Sequence, residues 1–118
     1  MSRRAVWSLS LVLTCLAFAA CSDRGTGPKL TAEDRGTLQV QGDRLVAAIE
    51  AYHKAHGKYP ATLAEAGIAP ADTATKFGSW TYQHSDGDPS FGVTVGDYVR
   101  HDFALWWNTD FPYWYWDT

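Results

Sequence analysis

His53 and His56 stand three residues apart, a spacing that puts two imidazoles on one helical face where a metal could be shared. No third ligand recurs at a matching distance, and both sit where a helix is expected to end, a place that favours histidine through the helix dipole. A second set is rich in oxygen. Asp86-Gly87-Asp88, followed by Asp97, Asp102, Asp110 and Asp117, could gather carboxylates around calcium. The spacing of an EF-hand is absent, however, and Asp-Gly is also what a tight hairpin turn selects. The third set is aromatic. Eight of the sixteen residues from Phe103 to Thr118 carry rings: Phe103, Trp106, Trp107, Phe111, Tyr113, Trp114, Tyr115 and Trp116. Tryptophan and tyrosine join a broad apolar face to one polar edge, which suits protein interfaces, glycan stacking or lipid headgroups. Trp106, Trp107, Tyr113, Trp114, Tyr115 and Trp116 are therefore the binding candidates, and burial in the core is the competing expectation for the same side chains.

Enzymatic chemistry has little to work with. The sequence holds no nucleophile elbow, no phosphate-cradling glycine loop and no His-Glu-x-x-His pair. Two carboxylates placed for glycoside hydrolysis cannot be picked out from spacing alone. A non-enzymatic protein without metal or cofactor is expected.

The first twenty residues have the zones of an export signal. Arg3 and Arg4 supply positive charge, Ala5 to Ala20 is mostly apolar, and a polar stretch begins at Ser22. The unbroken apolar run is shorter than the roughly 20 residues that span a bilayer. Phe18-Ala19-Ala20-Cys21 resembles a bacterial lipobox, with Phe18 where a leucine is more usual. The resemblance implies cleavage before Cys21 and lipid on its sulfur, hence a cell-envelope protein held on a membrane. Ser22, second in the mature chain, resembles the sorting pattern of outer-membrane cargo, on the periplasmic face. Two acyl signals give stable anchoring where one is marginal. Cys15 would leave with the signal, so the mature domain would hold no disulfide and no free thiol, although its compartment is oxidising.

Ninety-eight residues remain after position 20, enough for one small domain. They keep all 13 carboxylates but only eight Lys and Arg, a formal charge of −5, which argues against a nucleic-acid partner. Residues 21–30 are expected to be the lipidated cysteine and a flexible tether, and residues 31–118 the folded domain. Thr31 with Asp34 approximates a capping box. Leu38, Leu45, Ile49, Tyr52 and His56 then recur on one helical face, and Gly57 closes the helix. Gly36 and Gly42 each cost about 1 kcal/mol relative to alanine, so fraying is expected in the first turns. Pro60 turns the chain, Thr62 with Glu65 opens a short second helix over Leu63–Ala66, and residues 70–79 read as loop. From Trp80 the period becomes two. Strands are expected from Trp80 to His84, from Phe91 to Val95, from Phe103 to Trp107 and, more weakly, from Tyr113 to Trp116, with a turn at residues 85–89. The fold class is α+β: one long helix, one short helix and a small antiparallel sheet of three to four strands.

Within this plan, LVAAIEAYHKAHGKYPATLAEAGI at residues 45–68 resembles the helix end and following turn of type IV pilins and type II secretion pseudopilins. The positions that carry the resemblance are Ile49, Tyr52, Gly57, Tyr59, Pro60 and Leu63. It implies a pilin-like headgroup in which the two tyrosines cover the helix end, and it strengthens the case for calcium near Asp86 and Asp88. Residues 1–30 lack the basic leader, the glutamate and the long apolar stem by which such proteins polymerise. The expectation is a lipid-tethered binding or assembly module with an envelope protein as partner. An alternative is a glycan- or small-ligand-binding lipoprotein that uses outward aromatic residues.

Overall fold

Thr31 starts the long helix α1, Ala32–His56, by the reciprocal exchange its spacing predicts. Its Oγ1 accepts from the Asp34 amide at 3.1 Å, and an Asp34 carboxylate oxygen accepts from the Thr31 amide at 2.8 Å. Asp34 also pairs with Lys76 at 2.8 Å, tying the first turn to a later loop. At the other end Gly57 adopts φ 74° and donates its amide to the His53 carbonyl. The computed structural model describes residues 27–118; the export segment and Cys21 lie outside the described residues. Leu30 packs against the core, so packing on the domain begins before the helix.

The buried face of α1 is Leu38, Gly42, Leu45 and Ile49. This is the expected apolar stripe with one added position, Gly42, which hydrophobic spacing alone could not register. The first turns, where Gly36 and Gly42 predict fraying, are helical in the structure: α1 runs unbroken from Ala32. Capping holds its first turn, and Gly42 lies inside the packed part of the helix.

After Gly57, Tyr59 stacks on His53 with ring centroids 4.1 Å apart, and Pro60 is fully buried. The Tyr82 hydroxyl donates to the Pro60 carbonyl at 2.7 Å, so the turn is fastened to the sheet. The second helix is not where the sequence suggests. Thr62 does accept from the Glu65 amide at 3.2 Å, but the segment then closes on itself. Ala66 and Ile68 both donate to the Leu63 carbonyl, and Gly67 turns at φ 79°, leaving turns instead of a helix. The helix comes later, as α2, Pro70–Thr73, inside the expected loop. Pro70 occupies its first turn, where a missing amide costs nothing, and Asp72 accepts from the Ala69 amide at 3.0 Å.

The remaining chain forms an antiparallel meander: β1, Thr81–Gln83; β2, Gly92–Asp97; β3, Phe103–Asn108; and β4, Tyr115–Asp117, in that spatial order. The strands differ from expectation by a few residues at their ends. One more short helix, α3 (Tyr98–His101), joins β2 to β3; Asp97 caps its start, and Asp102 ends it at φ 60°. Register is set by alternation. Val93, Val95, Phe103 and Leu105 turn inward and meet Leu38, Leu45 and Ile49 of α1, with Phe77, Trp80 and Phe91 filling the edges. Burying one such side chain contributes about 1.5–3 kcal/mol relative to leaving it exposed. Among the described residues, no helix is long and apolar enough to cross a membrane.

Candidate functional site

The aromatic residues divide into two groups with different work. Trp80, Trp114 and Trp116 close on α1, and each donates its indole N–H to a helix side chain. The acceptors are Gln41 for Trp80 at 2.9 Å, Asp43 for Trp114 at 2.8 Å, and Gln39 for Trp116 at 3.2 Å. Arg35 lies 4.6 Å over the Trp116 ring as a cation–π partner. Trp107 adds an inward ring 5.4 Å from that of Phe91. Three of the six expected binding residues, Trp107, Trp114 and Trp116, thus pack against the core. These three rings are half-buried: strand alternation sends 105, 107 and 116 to the inner face, and Trp114 keeps one side toward the cleft described below.

The other group faces outward. Thr81, Thr94, Trp106 and Tyr115 are in register across all four strands, forming one row on the outer face of the sheet. Trp106 and Tyr115 lie with ring centroids 4.6 Å apart. The loop after β3 brings Phe111 and Tyr113 beside them, shaped by the Phe111 amide donating to the Asn108 side chain at 2.8 Å. Trp106, Phe111, Tyr113, Trp114 and Tyr115 enclose an open cleft of about 320 Å³. Phe111 and Tyr113 are 67% and 75% exposed, far more than rings recruited for stability alone. Phe111 was not among the expected site residues. Its signal was the adjoining Pro112, which keeps the segment out of a strand and lets the ring project from a loop.

Trp106 also forms one wall of a second, polar trough of about 680 Å³ on the same sheet face. Its floor and sides include Gln83, Thr94 and Asn108, with Asp88 and Asp110 at the rim. The outer face therefore offers an apolar cleft and a bed of amide, hydroxyl and carboxylate groups, divided by one tryptophan.

The other candidate residues are occupied locally. His53 stacks on Tyr59, whereas His56 stacks on Tyr52 at 4.0 Å and meets the Tyr52 carbonyl through Nδ1 at 3.0 Å. The two imidazoles are engaged by different neighbours, and the pairing on one metal is not assembled. Tyr52 donates to the Glu65 carboxylate; this bond holds Glu65 below its ordinary range and pushes the Tyr52 hydroxyl above its own. Burial raises Tyr59, and pushes Tyr82 up to about 12. Asp88 accepts from the Ser90 hydroxyl and amide at 2.8 and 3.0 Å, which holds its carboxyl below the usual range. Asp97 is spent as the α3 cap and Asp102 as its left-handed terminus. The aspartates that could have gathered around calcium are distributed among turns, caps and the end of β4, and no three His, Cys, Asp or Glu side chains gather as a metal site among the described residues.

Compared with known proteins, the chain matches no family model, no curated protein and no solved structure.

Proposed function

We propose that this protein is a non-enzymatic, lipid-anchored envelope module that captures a protein partner in the aromatic cleft on the outer face of its sheet. The cleft carries this reading: Trp106, Phe111, Tyr113 and Tyr115 surround a space of about 320 Å³, room for one large apolar side chain. Interface energy concentrates where such an anchor enters an aromatic pocket ringed by near-neutral contacts. The anchor is Cys21, implied by the lipobox resemblance, and the pilin-like headgroup is the best description of the domain behind it. In support, the Tyr52, Gly57, Tyr59 and Pro60 motif performs structural work at the helix end, and the sheet follows it in antiparallel order. A photo-crosslinking residue at Tyr113, introduced into the full chain in intact cells, should trap one discrete partner. Loss of that product in Trp106→Ala would support the cleft as its site; an unchanged product would count against it.

A glycan reading is favoured by one observation, the polar trough that shares Trp106. Sugars are held by aromatic stacking combined with amides and carboxylates. Titration with soluble peptidoglycan fragments should then quench tryptophan fluorescence in the wild type but not in Trp106→Ala. An unresponsive wild type would dispose of this reading.

A further inference from the structure

The loop between β2 and β3 presents an unusual side-chain sequence to solvent. Tyr98 and Val99 are 54% and 73% exposed, and Arg100 follows them with its side chain still more open. None of these residues supports the core. The same loop is where the chain enters the domain. Gly27 lies so close that an added Cβ would come within 2.8 Å of His101 Nδ1 and 3.5 Å of the Arg100 carbonyl. The His101 ring packs in turn on Phe77 and Phe103, which fixes α3 to the body of the domain.

Cys21 precedes Gly27 by six residues. Fully extended, six residues reach roughly 20 Å, so an acyl chain on Cys21 keeps this end of the domain within that distance of the lipid surface. The hairpin turn at residues 85–89 lies at the other end, where His84 meets Tyr59 beyond the C-terminal part of α1. We infer that the Tyr98–Val99–Arg100 tip is a second, lipid-facing contact that orients the domain on the membrane, a role that rests on the Cys21 anchor proposed above.

The chemistry fits a bilayer interface. Tyrosine favours the headgroup level with its hydroxyl in water, valine adds apolar area, and arginine extends its charge toward phosphate while its stem stays in the interface. Among the described residues, Asp97 and Asp102 flank the tip as the two caps of α3. Asp97 lies 3.8 Å from Arg100 and accepts the Val99 amide as the α3 cap. Two apolar residues would bind lipid weakly on their own. Beside an existing anchor the contact is intramolecular, and a short tether supplies an effective concentration high enough for a weak contact to form. The outcome is an orientation in which the tip faces lipid and the aromatic cleft remains open to a partner.

Site-directed spin labelling tests this on the full chain, matured in an exporting bacterial host and reconstituted into phosphatidylethanolamine–phosphatidylglycerol vesicles. Acylation consumes the Cys21 thiol, so Val99→Cys and, as the distal reference, Ser85→Cys each accept a single nitroxide. The label at 99 should collide severalfold less with an aqueous nickel relaxant, and more with oxygen, than the label at 85. Equal aqueous exposure at both positions in acylated protein would overturn the tip contact and leave the anchor standing. Mass spectrometry showing no acyl group on Cys21, with a second nitroxide there, would overturn the anchor and the tip contact together.

Discussion

The indole of Trp114 lies directly against Gly42 of α1, so close that a methyl group at position 42 would clash with Trp114 Cη2 and lie 2.6 Å from its Cζ2 and 2.8 Å from Trp80 Cη2. The glycine is what permits two tryptophans, contributed by opposite ends of the sheet sequence, to reach the same turn of the helix. Trp80 and Trp114 meet there edge to face, with centroids 5.6 Å apart.

Glycine replacement in α1 should therefore have opposite signs at two positions. Gly36 has nothing within 4 Å of an added Cβ, so Gly36→Ala should stabilise by about 1 kcal/mol through helix propensity. Gly42→Ala has the same propensity gain but must displace two rings, and overpacking of this kind costs about 1–3 kcal/mol. Urea unfolding of both variants measures the pair; equal stabilisation would refute the close approach.

Stability and binding should separate among the tryptophans and tyrosines. Trp114→Ala and Trp116→Ala remove rings packed on α1 together with their indole hydrogen bonds, and each should cost on the order of 3 kcal/mol. Phe111→Ala and Tyr113→Ala alter exposed rings and should change stability by less than about 0.5 kcal/mol. Thermal unfolding distinguishes them. Partner capture should follow the opposite order once the comparison is limited to folded protein.

High pH should weaken the domain through Tyr82. Burial raises its hydroxyl from 10.0 to about 12, so the folded state retains a proton that the unfolded chain releases first. The stabilisation is complete below pH 10 and is lost as pH rises toward 12. Tyr82→Phe should be less stable at neutral pH, because the Pro60 carbonyl loses its donor, yet should show a shallower decline above pH 10. Denaturant titrations across that range, with tyrosinate absorbance as a second readout, provide the check.

The acid side should report the head of α1. Lys76 and the Thr31 amide hold the Asp34 carboxyl below its ordinary value of 3.8. Its contribution is present above that value and disappears as pH falls through the lowered one. Asp34→Asn should remove this part of the acid dependence, whereas Thr31→Ala should cost about 1 kcal/mol at neutral pH through the lost cap. Helical signal followed by circular dichroism from pH 7 downward measures both.

Much of α1 was legible because its information is local. Thr31, Asp34 and Gly57 mark the ends by their own hydrogen-bonding needs, and Leu38, Leu45 and Ile49 mark the buried face. The β2–β3 pair was legible for the same reason, through alternation at Val93, Val95, Phe103 and Leu105. What escaped depends on neighbours distant in sequence. Pro70 reads equally as a terminator and as a first-turn residue, and only the Asp72–Ala69 bond selects the second. Residues 113–116 are all aromatic, so nothing in their order says which ring turns inward. Pairing with Leu105 and Trp106 decides it, sending Trp116 to the helix and Tyr115 to the outer face. Gln39, Gln41 and Asp43 likewise look like an ordinary solvated helix surface until three indoles arrive to use them.

Those three indole bonds also define a load path. Were the domain hung from a membrane by Cys21, as proposed, every tug would arrive at its entry point and pass by way of Gly27 and Leu30 into the head of α1. The acceptors at 39, 41 and 43 lie within four residue steps, about 6 Å of helix rise. Pulling along α1 would shear the three latches together instead of peeling them off in turn. With no cysteine among residues 27–118 to bear tension, that shared engagement would act beside the buried Leu38, Leu45 and Ile49 contacts in fastening the helix to the rest of the domain.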